Sequence, residues 1–100
     1  MAARPLPVQT RRAMVDIGGH LRTWRKLLGL TGQQVSERAA ITRQTLARLE
    51  RGDSSVGLDV FLNVARALGR LESVVDSIDP YETPFGRARA EESLPQRVRR

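Results

Sequence analysis

The chain has 100 residues, 40% of them hydrophobic and 28% charged, with a formal net charge of +6. That length gives one small domain with a modest core, the apolar share excludes global disorder, and the positive balance favours a polyanionic partner. The absence of cysteine excludes disulfides and thiolate metal sites. With no secretion-signal core and no run near the ~18 apolar residues of a spanning helix, a soluble, cytoplasmic protein away from membranes is expected.

Residues 1–9 carry Pro5 and Pro7 without periodicity and read as a flexible arm, whose Arg4 can reach phosphate or a minor groove. Over residues 10–28, Met14, Ile17, Leu21, Trp24 and Leu28 recur at steps of three and four. That spacing predicts a helix with one apolar stripe, capped by Thr10 and ended by Gly29. Gly18 and Gly19 sit in its middle, each costing ~1 kcal/mol relative to alanine. The helix therefore breaks there, starts after them, or crosses a neighbour closely. Trp24 lies on the stripe and reads as core. His20 pairs with Asp16 at four-residue spacing, but two ligands without a third make a poor metal site. No metal and no cofactor is expected.

Residues 31–52, TGQQVSERAAITRQTLARLERG, read as two short helices with a tight turn. Thr31 precedes the first, with Gln34 three residues on in a capping-box pattern; Val35 and Ala39 share its inner face. Ala40-Ile41 is the turn, and Thr42 caps the second helix. There Thr45, Leu46 and Leu49 look inward while Arg43, Gln44, Ala47 and Arg48 look out, and Gly52 fits a left-handed closing position. Four arginines against two glutamates leave this stretch positive. Two helices at a sharp angle, the second showing arginine and glutamine to solvent, is the arrangement that enters a major groove.

Beyond it, Gly52 and Gly57 echo a phosphate loop, but Leu58-Asp59 stands where Lys-Ser/Thr is required, which rejects that reading. A fourth helix is predicted over 58–68 with Leu58, Phe61, Leu62, Ala65 and Leu68 buried, and Gly69 stops it. A fifth, over 71–78, has Leu71, Val74, Val75 and Ile78 on one face, to close the core or to add to a dimer contact. Residues 79–100 read as a tail. Tyr81 and Phe85 are its large apolar anchors, and three arginines (Arg97, Arg99 and Arg100) lie in its last four positions.

The 31–52 stretch resembles the helix-turn-helix of the phage-repressor (Xre/Cro) family. That pattern runs Leu-Thr-Gln-x-x-Leu-Ala, then Gly-Val-Ser at the turn, then a helix ending Leu-Glu-Arg-Gly. Leu30-Thr31, Val35, Ile41-Thr42, Leu46 and Leu49-Glu50-Arg51-Gly52 match it, and the resemblance extends over residues 17–78. Gly32 departs from a phosphate-contacting Gln, with Gln33 beside it as a substitute. Ser36 departs from a small Ala. Ala40 departs from the turn Gly, which implies either a strained residue or a slightly different turn.

The resemblance implies an all-α fold: a compact five-helix repressor-type DNA-binding domain over 10–78, between the arm (1–9) and the tail (79–100). It pairs Arg25 of the first helix with Glu50 as a structural ion pair. It assigns base reading to Arg43, Gln44, Ala47 and Arg48. Phosphate contact falls to Thr31, Gln33, Arg38, Thr42 and Arg51 with the helix starts. Arginine suits guanine O6 and N7, glutamine suits adenine N6 and N7, and Ala47 suits a thymine methyl. One short reading helix touches few base pairs, so a homodimer on an inverted-repeat operator in double-stranded DNA is expected, with half-sites about one turn (~34 Å) apart. The order of arm, long first helix, repressor-type domain and tail further resembles HipB-type antitoxins. Those proteins repress their own operon and bind a HipA-type serine/threonine kinase toxin.

Two other classes compete. One is an interaction module of the same fold without specific DNA binding, which Gly32 and Ala40 favour and the Arg43, Gln44 and Arg48 face disfavours. The other is an enzyme, for which the sequence offers no paired acid and base, no partnered nucleophile and no phosphate motif.

Overall fold

The structure, a computed structural model, describes residues 5–93. Arg4 and the terminal arginines Arg97, Arg99 and Arg100 lie outside the described residues. Among the described residues the chain forms α1 (Val8–Leu27), α2 (Gly32–Ala39), α3 (Arg43–Glu50), α4 (Leu58–Ala67), α5 (Leu71–Ile78), a 3-10 turn (Pro80–Glu82) and α6 (Pro84–Ser93). The class is all-α, with no strand among those residues, but the count is six helices rather than five. None of the described helices is long and apolar enough to cross a membrane.

Four helices end alike. Just past each helix end an N–H reaches a carbonyl five residues back: Leu30 to Arg25 (2.9 Å), Ile41 to Ser36 (3.0 Å), Asp53 to Arg48 (3.0 Å) and Arg70 to Ala65 (2.7 Å). The residue immediately before each donor is left-handed, with φ of +72° at Gly29, +59° at Ala40, +80° at Gly52 and +72° at Gly69. This motif satisfies otherwise orphaned carbonyls and turns the chain sharply. Three of the positions are glycine. Ala40 alone carries a Cβ there, at a cost of roughly 1–2 kcal/mol. The α2–α3 turn therefore has the glycine-type geometry with a strained residue in it.

The core is one cluster of Leu21, Val35, Ala39, Leu46, Leu49, Val64 and Leu68. Ser36 is buried beside it. Its Oγ donates to the Gly32 carbonyl at 2.7 Å, which satisfies the hydroxyl and lets serine stand at a small apolar position. α1 crosses the end of α3 backbone to backbone. A Cβ on Gly18 would stand 2.5 Å from the Leu49 carbonyl oxygen, and one on Gly52 would stand 2.7 Å from the Val15 Cα. The helix is therefore unbroken at Gly18-Gly19, and a close crossing explains Gly18. Nothing in the structure explains Gly19, whose Cβ would meet open space.

Several expectations are corrected. α1 begins at Val8 with Pro7 at its N-cap and no side-chain cap, so Thr10 lies inside the first turn. Of its stripe only Leu21 is buried, because α1 meets α3 through Gly18 and Leu21 and leaves Ile17, Trp24 and Leu28 at the margin. Trp24 is 36% exposed and carries the Arg70 guanidinium 4.4 Å from its ring centroid, so it is a rim residue rather than core. In α4, Val64 is buried and Leu58 is exposed. The buried face steps through Val64, Ala65 and Leu68 against α2, which turns Leu58 outward.

α5 buries no residue fully, and Ile78 is 81% exposed. It stands off α1 across a cleft of about 420 Å³ walled by Ile17, Trp24, Phe61, Arg70 and Val74, so it does not close the core. α6 lies within the stretch read as a tail. The Thr83 Oγ1 accepts from the Gly86 N–H at 2.9 Å, Pro84 opens the helix, and alanine, arginine and glutamate carry it on. Asp79 Oδ1 likewise accepts from the Tyr81 N–H at 2.9 Å and starts the 3-10 turn. Tyr81 is half-buried and Phe85 is exposed.

Candidate nucleic-acid interface

Capping chemistry fixes both helix starts. Thr31 Oγ1 accepts from the Gln34 N–H at 3.0 Å while Gln34 Oε1 accepts from the Thr31 N–H at 2.8 Å, a complete capping box. Thr42 Oγ1 accepts from the Thr45 N–H at 3.0 Å and donates to Thr45 Oγ1 at 2.9 Å. The Thr42 hydroxyl is thus spent within α3, whereas the Thr31 hydroxyl donates to no group among the described residues. The inner face of α3 is Leu46 and Leu49, both buried, with Thr45 half-buried.

Arg25 and Glu50 tie α1 to the end of α3. Arg25 Nε donates to Glu50 Oε2 at 2.9 Å and Nη2 donates to Oε1 at 3.1 Å, with side-chain exposures of 15% and 11%. The fork geometry makes this a directional contact rather than a loose attraction. The hydrogen bonds to Glu50 raise the Arg25 pKa, outweighing the opposing effect of burial. Together with Gly18 and Gly52, this pair fixes the angle at which α3 leaves the body.

Arg43, Gln44 and Ala47 are exposed together on the outer face of α3. Arg48 is half-buried and turned toward the following loop. Its Nε donates to Asp53 Oδ2 at 3.4 Å, and its Nη2 donates to Ser55 Oγ. Asp53 Oδ1 in turn accepts from the Ser55 N–H at 2.8 Å and from the Ser55 hydroxyl at 2.7 Å. The Ser55 N–H, then its hydroxyl and Arg48, hold the Asp53 carboxyl below its usual range. Asp53 and Ser55 were not among the predicted site residues. The Asp-x-Ser spacing after Gly52 is the signal that marks such a turn.

The phosphate candidates divide by position. Thr31 and Gln33 stand at the start of α2, where Gln33 Nε2 donates to Glu37 Oε2 at 2.7 Å. Arg38 lies in the last turn of α2 and Arg51 caps the end of α3; both are exposed. Arg66 of α4 donates to the Arg38 carbonyl at 3.0 Å, a cationic anchor at the end of α2 that the sequence reading did not single out. Asp16 and His20 are exposed on α1. Among the described residues, Asp76, Asp79 and Glu82 bring carboxylate oxygens within 4.8 Å of one another, and Asp79 already serves the Tyr81 N–H.

A family model described as Helix-turn-helix (HTH_3) matches residues 21–73. The chain belongs to this helix-turn-helix family. A protein of Methanothermobacter thermautotrophicus named as an uncharacterized HTH-type transcriptional regulator is 48% identical over 50 residues, which are 50% of this chain and 72% of that protein. A second, the uncharacterized HTH-type transcriptional regulator y4dJ of Sinorhizobium fredii, is 35% identical over 71 residues, 70% of this chain and 90% of that one. No solved structure gives a significant match.

Proposed function

We propose that this protein is a sequence-specific DNA-binding transcriptional regulator that lays α3 in the major groove and represses as a homodimer on an inverted repeat. The observation that carries this reading is the exposed Arg43, Gln44 and Ala47 surface on a helix whose start is capped and whose end is locked to α1. The family membership and the relatives' naming as HTH-type transcriptional regulators support it. Phosphate contacts then fall to Thr31, Gln33, Arg38, Thr42 and Arg51. Thr42 contributes through its neighbourhood more than its hydroxyl, which caps α3. Arg48 reads bases only by leaving Asp53, so Arg43 and Gln44 carry the larger share of discrimination. The finer proposal is an autorepressing antitoxin with a HipA-type kinase partner, on the order of arm, domain and tail. The exposed apolar side of α5 favours a second reading, a protein-interaction module of the same fold.

Selection of bound sequences from a random DNA pool, at fixed near-physiological salt, tests the reading. Enrichment of an inverted repeat is expected. Arg43→Ala should then weaken binding to the selected site by ~1–3 kcal/mol and to random DNA far less. A pool that stays random after selection would move the weight to the interaction module.

A further inference from the structure

Gly32 is buried although it opens a helix whose other early residues, Gln33 and Gln34, are exposed. What covers it is the side chain of Arg43. A Cβ on Gly32 would stand 3.0 Å from Arg43 Nε, 3.2 Å from Cζ and 3.2 Å from Nη2. The guanidinium of the first residue of α3 therefore lies over the first residue of α2. The two arginines of the reading face are thus placed by different means. Arg48 is tethered by Asp53 and Ser55. Arg43 has no hydrogen-bond or ion-pair partner among the described residues, and neither α2 nor α3 has an acid in its first turn. Its position is set by shape alone, by the space that the missing side chain leaves.

We propose that Gly32 is a specificity-determining residue of the DNA interface, acting through Arg43: the bare α-carbon admits the guanidinium into the corner between the two helix starts, and so selects which base edge Arg43 reaches. This rests on the DNA-reading function proposed above. Gly32 is a positioning residue and need not touch DNA. The atoms that a Cβ would meet belong to the free end of a flexible side chain, so a small residue at 32 displaces Arg43 rather than the backbone. Alanine also suits a helix better than glycine, so the fold is preserved. A larger residue moves the guanidinium further, and the effect is graded.

The test is a double-mutant cycle on the site selected by the wild-type protein, with every base pair of the site varied. The proteins are wild type, Gly32→Ala, Gly32→Leu, Arg43→Ala and the two double variants. Circular dichroism and thermal melting establish that each is folded. Gly32→Ala is expected to lower the ratio of specific to random binding several-fold, and Gly32→Leu about tenfold or more. The altered preference should fall at the same base pair that Arg43→Ala relaxes. In the Arg43→Ala background both substitutions should change binding less than twofold. Equal losses with and without Arg43, or a changed preference at a different base pair, would overturn the role of Gly32 while leaving the DNA reading intact. A wild-type protein that selects no sequence would overturn both.

Discussion

The two sides of α1 are built differently. Toward α3 the contact is close and directional: Gly18 lies against the Leu49 and Glu50 carbonyls, Gly52 lies against the Val15 backbone, and Arg25 grips Glu50 with two hydrogen bonds. Toward α5 the contact is loose: a cleft separates the helices, Trp24 shares its ring face with Arg70, and Ile78 points into solvent. The close-fitting contacts are concentrated where they orient the exposed face of α3. Rigidity there holds the side chains of a short helix in a fixed register, while the α5 side leaves Val75 and Ile78 exposed.

Five measurements test that contrast, in order of decreasing expected effect. Gly18→Ala should destabilise by about 3 kcal/mol in chemical denaturation, because its Cβ meets backbone carbonyls that cannot step aside. Glu50→Ala should cost about 2–3 kcal/mol. That lies between an exposed pair and a fully buried one, since the Arg25 guanidinium is left largely desolvated. Ala40→Gly should stabilise by about 1 kcal/mol by relieving the left-handed alanine, and a loss of stability would contradict the turn geometry. Acid should release Arg48. The Asp53 carboxyl is held low, so its contribution is present at neutral pH and disappears as pH falls below ~4 through the lowered folded value. An Arg48 Nε resonance that shifts in that window, and stays still in Asp53→Asn, is the expected sign. Ile78→Ser should change stability by no more than about 0.5 kcal/mol. A larger loss that depends on protein concentration would mean that a second copy covers α5.

The sequence disclosed some of these features and hid others for physical reasons. Thr31 with Gln34, and Thr42 with Thr45, announce their caps because capping is local chemistry with fixed spacing. Apart from Val64, the buried residues that α1 to α4 give the core followed from apolar period, but period also placed the α5 stripe there and could not say how far each stripe is covered. Trp24, Leu58 and Ile78 fall in the right phase yet lie at the margin, since coverage depends on how helices cross. Gly18 offered a choice between a break and a close crossing that only the path of α3 could decide. α6 has no apolar stripe and so gave no periodic signal; its Thr83-Pro84 start was the available clue. The placement of Arg43 over Gly32 joins two residues through the turn, and no spacing rule encodes it.

The most direct test of DNA recognition by α3 is a footprint on the DNA upstream of the protein's own gene, at fixed near-physiological salt with random competitor. A protected inverted repeat with half-sites about one turn apart (~34 Å) is expected, with loss of that protection in Arg43→Ala under conditions where the variant remains folded. Protection that is absent, or that spreads over any sequence and vanishes with salt alike for both proteins, would rule out sequence reading by α3.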